Sequence, residues 1–254
     1  MSDDLKLVKE LRDKTGAGFL DCKEALAKNE GNLDNAIDYL RKKGLAKASK
    51  KSDRAAIEGA VGIYSNKDIT ALIKVNSETD FAAKSDTFLN FLDTLGNIAI
   101  EHASIDLNLN NFLNLEVENN PLSEYLNSMI AKIGENLILK QLLVLENKDD
   151  KFSFYIHNSY RNNIGKIISL IEYQSANVDE KIKTFAKNLC MHIAAMKPES
   201  LDVNDLNEEI ILKERDIQKE LILNSGKPSN IVDKILEGKM KKFYSEVTLL
   251  NQSY

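Results

Sequence analysis

"ITALIKVNSETDFAAKSDTFLNFLDTLGNIA" (residues 69–99) contains the transition on which the fold turns. Its first eight residues form a β-type run rich in Ile and Val. Its last part carries Phe88, Phe91, Leu92, Leu95, Ile98 and Ala99 on one helical stripe. Strand therefore gives way to helix, and Phe81 stands in the gap between an acid and two alanines. A single continuous helix would put Phe81, seven positions before Phe88, on the core stripe. The stripe positions between them are Lys84 and Ser85, both polar. Ser85-Asp86 makes an N-cap for the long helix, and Thr79 or Asp80 caps a separate short turn ahead of it. Two roles stay open for Phe81: a hydrophobic staple packed on the strand end, or an exposed anchor of the kind that forms binding hot spots.

Working outward, "GAVGIY" (59–64) precedes the turn "SNKD" and completes a strand pair with 69–76. Further on, "KFSFYIHN" (151–158) and "IGKIISLIEYQ" (164–174) are strand-like, and "DEKIKTFAKNLCMHIAAMKP" (179–198) is helical. The two sets overlay through Ile69/Ile167, Leu72/Leu170, Ile73/Ile171, Phe91/Phe185 and Leu95/Leu189. The offset is 98 residues for the strands and 94 for the helices, so the first copy holds four more residues between them. Those four fall at the Phe81 turn. The expected fold class is α+β, with two related core subdomains (59–138 and 139–200), each with a small antiparallel sheet. The connection between them is an Asn-rich stretch with a short helix, "SIDLNLNNFLNLEVENN" (104–120). A helix follows from Pro121 or Ser123 to Gly134, and then the strand "LILKQLLVLEN" (137–147).

Residues 1–45 predict a three-helix, UBA-like module. Asp3 or Asp4 caps its first helix and Gly16 ends it; Asn32 caps the third and Gly44 is its αL C-cap. Phe19 and Leu20 follow the Thr15–Gly18 turn side by side, and adjacent residues cannot both face one narrow core stripe. At least one faces outward. Residues 46–58 read as a basic linker, with Lys47, Lys50, Lys51 and Arg54 continuing the run Arg41, Lys42, Lys43. It is either a solvated linker or a patch for RNA or ribosome contact. At the other end, 201–245 predict a projecting antiparallel helical hairpin, coiled-coil-like and inserted in the second subdomain. Ile210, Ile217 and Leu221 form one seam, Gly226-Pro228 the break and Ser229 the next cap; 246–254 read as a terminal strand-like segment. Such a hairpin docks onto a partner or a second copy of the chain.

Composition narrows the function. The chain's 254 residues carry a net charge of −5, which gives no reason to expect a nucleic-acid binder. Two cysteines, Cys22 and Cys190, suggest no disulfide framework. The opening "MSDDLKLVKE" lacks the features of a signal peptide, and no apolar run is long enough to span a membrane, so a cytoplasmic protein is expected. There is no P-loop and no strand-coupled G-x-G-x-x-G, so no direct nucleotide site is expected. His102, His157 and His192 do not combine with the cysteines at metal-ligand spacing. His102 and His192 fall within helices, whereas His157 ends a strand before the polar turn "NSYRNN". No nucleophile has a recognisable elbow or base. The class expected is a binding protein that is not an enzyme and needs no cofactor or metal.

The motifs "LVKELRDKTGAGFLDCKEAL" (7–26), "TDFAAKS" (79–85), "KIGENL" (132–137), "MHIAAMKPE" (191–199) and "SGKP…EGKMKKF" (225–243) resemble, in order, blocks of the translation elongation factor Ts family. The resemblance implies a nucleotide exchange factor that binds the GTPase elongation factor Tu, in its GDP-bound and nucleotide-free forms. It implies that Asp80 and Phe81, with Thr79, form the wedge that enters the nucleotide domain. Arg12, Phe19, Leu20 and Lys23 would contact that domain beside the nucleotide, and Ile133, Gly134 and His157 would meet the other domains. The family often has two methionines at Phe19-Leu20, Asn at Ser85, and a compact turn where this chain has "HNSYRNNIG". Many members continue past the segment matching "EVTLLNQSY" into a further helical module, and lower affinity is expected without it. The alternative is a non-exchanging, ribosome- or RNA-associated adaptor using the basic linker and the hairpin.

Overall fold

The computed structural model describes residues 3–104, 107–117, 120–147, 151–175, 179–226 and 228–254. The protein is α+β, and its chain divides into two compact units. One comprises Met1–Asp150 with Ile156–Ile168, and the other Lys151–Tyr155 with Ser169–Tyr254.

In the first unit, α1 (Asp3–Thr15), α2 (Phe19–Lys28) and α3 (Leu33–Ser49) enclose a small core of Val8, Leu11, Cys22, Ala25, Leu26 and Ala36. Gly16 ends α1 with φ +65°, and the Asn32 side chain caps α3 by accepting from the Asn35 N–H. Because α1 begins at Asp3, Asp3 and Asp4 lie inside it rather than at its cap, and the residue before it is outside those described. Gly44 is not a C-cap. It lies inside α3, where a Cβ would sit at an ordinary contact distance, 3.6 Å, from that of Ala131. The helix runs on because Ala48 is buried in the main core, which turns the first part of the expected linker into helix. Of the basic run, Lys43 pairs with Asp21 and Glu24, Lys47 with Asp21, Arg41 with Glu124, and Arg54 with Glu78.

Strands β1 (Glu58–Ser65) and β2 (Ile69–Ser77) pair in register from Glu58↔Ser77 to Ser65↔Thr70. The chain then forms α4 (Asp80–Lys84), α5 (Asp86–Glu101), α6 (Leu109–Leu113), the short ladder β3 (Glu116–Val117) with β4 (Asn120–Pro121), and α7 (Leu122–Ile133). β5 (Ile138–Glu146) pairs antiparallel with the outer edge of β2. β6 (Lys151–Arg161) and β7 (Ile164–Tyr173) complete a five-stranded sheet of order β5-β2-β1-β7-β6. The ladder between β1 and β7 pairs Val61↔Gly165 and Gly62↔Ile164.

The apolar stripe of α5 covers the sheet. Phe88, Phe91, Leu92 and Leu95 are buried together with Ile73 and Val75 of β2 and with Phe112 and Leu122. Tyr64 lies across this interface, and a methyl group on Gly62 or Gly96 would overlap its ring. Its hydroxyl donates to Asp93 Oδ1 (3.1 Å), and burial, then the Asp93 charge, push its ionisation well above the usual phenol range. Asp93 also accepts from Arg161 (2.5 Å) and Asn163 (3.1 Å). These bonds hold the β6–β7 turn at Asn162-Asn163. The strand therefore does not end at His157: it continues to Arg161, with an irregularity at Asn158 (φ +49°).

In the second unit, α8 (Glu180–Met196) joins the strand ends through Ser169 Oγ, which donates to the Cys190 carbonyl (2.6 Å), and through Cys190 Sγ, which donates to that of Ser153 (3.2 Å). A 3₁₀ turn (Val203–Asp205) leads to α9 (Glu208–Asn224) and α10 (Ser229–Val247), packed through Ile222, Val232, Leu236 and Met240. The expected seam is corrected: Ile210, Ile217 and Leu221 are exposed, and Ile222 with Ile211 faces α10. The adjacent pairs Ile210-Ile211 and Leu221-Ile222 fit two helical phases equally, and only packing separates them. The cap of α10 falls on Pro228, not Ser229. The terminal segment is strand-like only at one bridge, Ser200↔Thr248, before a second 3₁₀ turn (Leu249–Asn251).

Candidate functional site

Phe81 sits on α4, a helix of five residues. One helical turn is unstable alone, since nucleation fixes several residues for a single hydrogen bond. Tertiary contacts must hold it. Ala82 and Ala83 are buried beneath it, Thr79 Oγ1 accepts from the Ala82 N–H (3.2 Å), and Lys84 pairs with Asp80 (2.7 Å). That pair lowers the Asp80 carboxyl below its ordinary value. Ser85 then caps α5 by accepting from the Phe88 N–H. The side chain of Phe81 itself is 84% exposed. The staple is excluded, because a staple residue would be buried against the strand end.

The C-terminal turn of α7 supports this short helix. Gly134 closes α7 with φ +87°, a left-handed conformation that suits glycine. The next two residues form a reciprocal clasp with β2's end. Glu135 accepts from both the Thr79 N–H (2.9 Å) and the Thr79 hydroxyl (2.7 Å). In return, Glu78 accepts from the Asn136 N–H (2.6 Å). Asn136, almost fully buried, donates its side-chain amide to the Arg54 carbonyl (2.8 Å) and the Ser52 carbonyl (3.3 Å). The chain after α3, the Phe81 turn and the end of α7 thus meet at one junction.

The expected residues of the N-terminal module approach the same helix end. A Cβ on Gly16 would lie 3.0 Å from Lys132 Nζ, which puts the turn leading into Phe19 beside the last turn of α7. Phe19 and Leu20 open α2 and both face outward, Leu20 at 79% exposure, while Cys22, Ala25 and Leu26 take the core positions. Arg12 and Lys23 are exposed as well. Ile133 is half-buried and packs on the core, so of the pair it is Gly134 that is open to solvent. His157 is exposed on β6, apart from this junction in the chain's elements. His102 is the C-cap of α5 rather than within it, and His192 Nε2 lies 3.0 Å from Gln252 Oε1.

Three residues of the junction escape a reading of the sequence: Glu78, Glu135 and Asn136. So does Ile57, 82% exposed beside the first residue of β1 and one position beyond the Glu58↔Ser77 pair. Among the described residues, no group of three or more His, Cys, Asp or Glu side chains could hold a metal ion. No helix among the described residues is long and apolar enough to cross a membrane.

Fold and site together define an α+β protein that holds large apolar side chains out in solvent, Phe81 among them on a capped, braced turn. A family model described as "Elongation factor TS" matches residues 78–254. The chain is 40% identical over 248 residues to the elongation factor Ts of Rhodospirillum centenum, covering 98% of this chain and 80% of that protein. It is 39% identical over 254 residues to that of Brucella ovis, covering 100% and 82%. The chain belongs to the elongation factor Ts family.

Proposed function

We propose that the chain is a guanine-nucleotide exchange factor for elongation factor Tu. It binds the GDP complex, deforms the nucleotide and Mg²⁺ site, and retains the nucleotide-free GTPase until GTP enters. It makes and breaks no covalent bond and needs no cofactor of its own. The observation that carries the reading is Phe81, an aromatic ring left 84% in water on a helix of one turn that is capped and clasped in place. Burying such a ring between helices of a partner releases water from its whole face, which is how a few residues come to dominate an interface.

The thermodynamics follow from linkage. If factor and GDP each weaken the other's binding, they do so by the same factor, and excess GTP completes the exchange. Asp80 and Phe81 form the wedge, and Thr79 orients it. Arg12, Phe19, Leu20 and Lys23 contact the nucleotide domain, and Ile133, Gly134 and His157 meet the remaining domains. The RNA-adaptor reading is the weaker one, because Arg41, Lys43, Lys47 and Arg54 of its basic run pair with carboxylates of the same chain.

Stopped-flow release of fluorescent GDP from elongation factor Tu tests the proposal. Acceleration at micromolar protein is expected, and its absence would sink it. Phe81→Ala should slow the accelerated release about thirtyfold or more, the scale of a hot-spot residue.

A further inference from the structure

Phe81 is presented by an element that cannot fold by itself, so whatever holds its cap controls where the ring points. The two oxygens of Glu135 accept from the two donors of Thr79, its N–H and its hydroxyl. The same hydroxyl accepts from the Ala82 N–H and so closes the first turn of α4. A bidentate grip of this kind removes rotational freedom that one bond would leave, and its charged acceptor makes each bond stronger than a neutral one. The negative charge also sits at the positive end of α4.

We propose that Glu135 is a positioning residue for the Phe81 anchor. Through Thr79 it fixes the orientation of α4, and with the Glu78–Asn136 bond it makes Phe81 and Gly134 one rigid contact surface. Glu135 need not touch the partner to do this. The inference rests on the exchange-factor reading for its effect on rate, but the clasp itself is measurable without the partner.

The test compares Glu135→Ala in two backgrounds, the natural chain and Phe81→Ala, reading the maximal GDP-release rate and the half-saturating concentration separately. In the natural chain the maximal rate should fall about tenfold, the scale of losing hydrogen bonds to a charged group. In the Phe81→Ala background the further loss should stay below about twofold, because a residue acting through Phe81 has nothing left to position. Equal losses in both backgrounds, or no loss in the first, would overturn the proposal. Amide hydrogen exchange supplies the second readout: the Ala82 and Ala83 N–H groups should exchange about tenfold faster in Glu135→Ala, with global melting unchanged. If the natural chain fails to accelerate GDP release, the exchange-factor reading falls, and amide exchange alone decides the clasp; unchanged protection at Ala82 and Ala83 overturns it. Should Glu135→Ala not fold, Glu135→Gln and Thr79→Val replace it under the same criteria, each removing part of the grip.

Discussion

The β1-β2-α5 and β6-β7-α8 segments repeat one plan, two strands and a helix, and use it in opposite ways. In the first, Phe91 is 1% exposed and Leu95 is equally buried in the core against the sheet. In the second, the matching Phe185 is 53% exposed, its ring set edge-on to Tyr254 at 5.4 Å. The first copy also holds the inserted α4, whose aromatic is turned outward. The core under α5 is built without the Phe81 ring, which stays in solvent. The copy with the better core is also the one that displays the ring.

This contrast can be broken or sharpened experimentally. The largest expected effect is on folding: Phe91→Ala should cost about 3–5 kcal/mol in denaturant unfolding, whereas Phe185→Ala should cost under about 1 kcal/mol. Similar costs would mean that the two helices are equally packed. Next comes Phe81→Ala, expected to remove at least about 2 kcal/mol from the transition state for GDP release but no more than about 0.5 kcal/mol from unfolding. Gly96→Ala tests the close approach of α5 to Tyr64, since the ring must move to admit a methyl group. A loss of about 1–3 kcal/mol is expected, with the Tyr64–Asp93 bond weakened in the same variant.

The smallest effect concerns pH and the N-terminal module. Glu24 is lowered from its ordinary 4.5 to about 2, chiefly by its bond with Lys43 and then by Lys28 and Tyr39. Asp21 is lowered by Lys43 and Lys47. A carboxyl whose folded value lies below its unfolded one adds stability above the unfolded value, and loses it as pH falls toward the folded one. The melting difference between the natural chain and Glu24→Gln should therefore shrink between about pH 5 and about pH 2. A difference that stays constant over that interval would show that these ion pairs do not tether α2 to α3.

The local features of the site were legible because they depend on neighbours in sequence. Thr79, Ser85 and Asn32 sit at N-caps, and Gly134 takes the left-handed closure, all within four residues of what they cap. The outward placement of Phe81 could be anticipated from the polar positions Lys84 and Ser85, although these positions alone are equally compatible with a staple. Whatever depends on distant partners was not legible. Glu135 and Glu78 look like ordinary surface acids until the fold brings Thr79 and Asn136 to them. Gly44 has the signature of a helix end, yet it stays inside α3 because the helix runs on to bury Ala48 in the main core. The extension of β6 past His157 depends on Asp93, some seventy residues earlier in the chain, gripping Arg161 and Asn163.

The Thr79–Glu135 bond spans 56 residues of sequence, which bears on the order in which the molecule comes into being. A ribosome adding about 5–20 residues per second needs on the order of several seconds to travel from one partner to the other. Throughout that interval the Phe81 segment exists without its clasp, and a one-turn helix does not persist unaided. A growing chain thus exposes the wedge sequence well before it can present the wedge, and it acquires its grip only after the α7 turn has emerged.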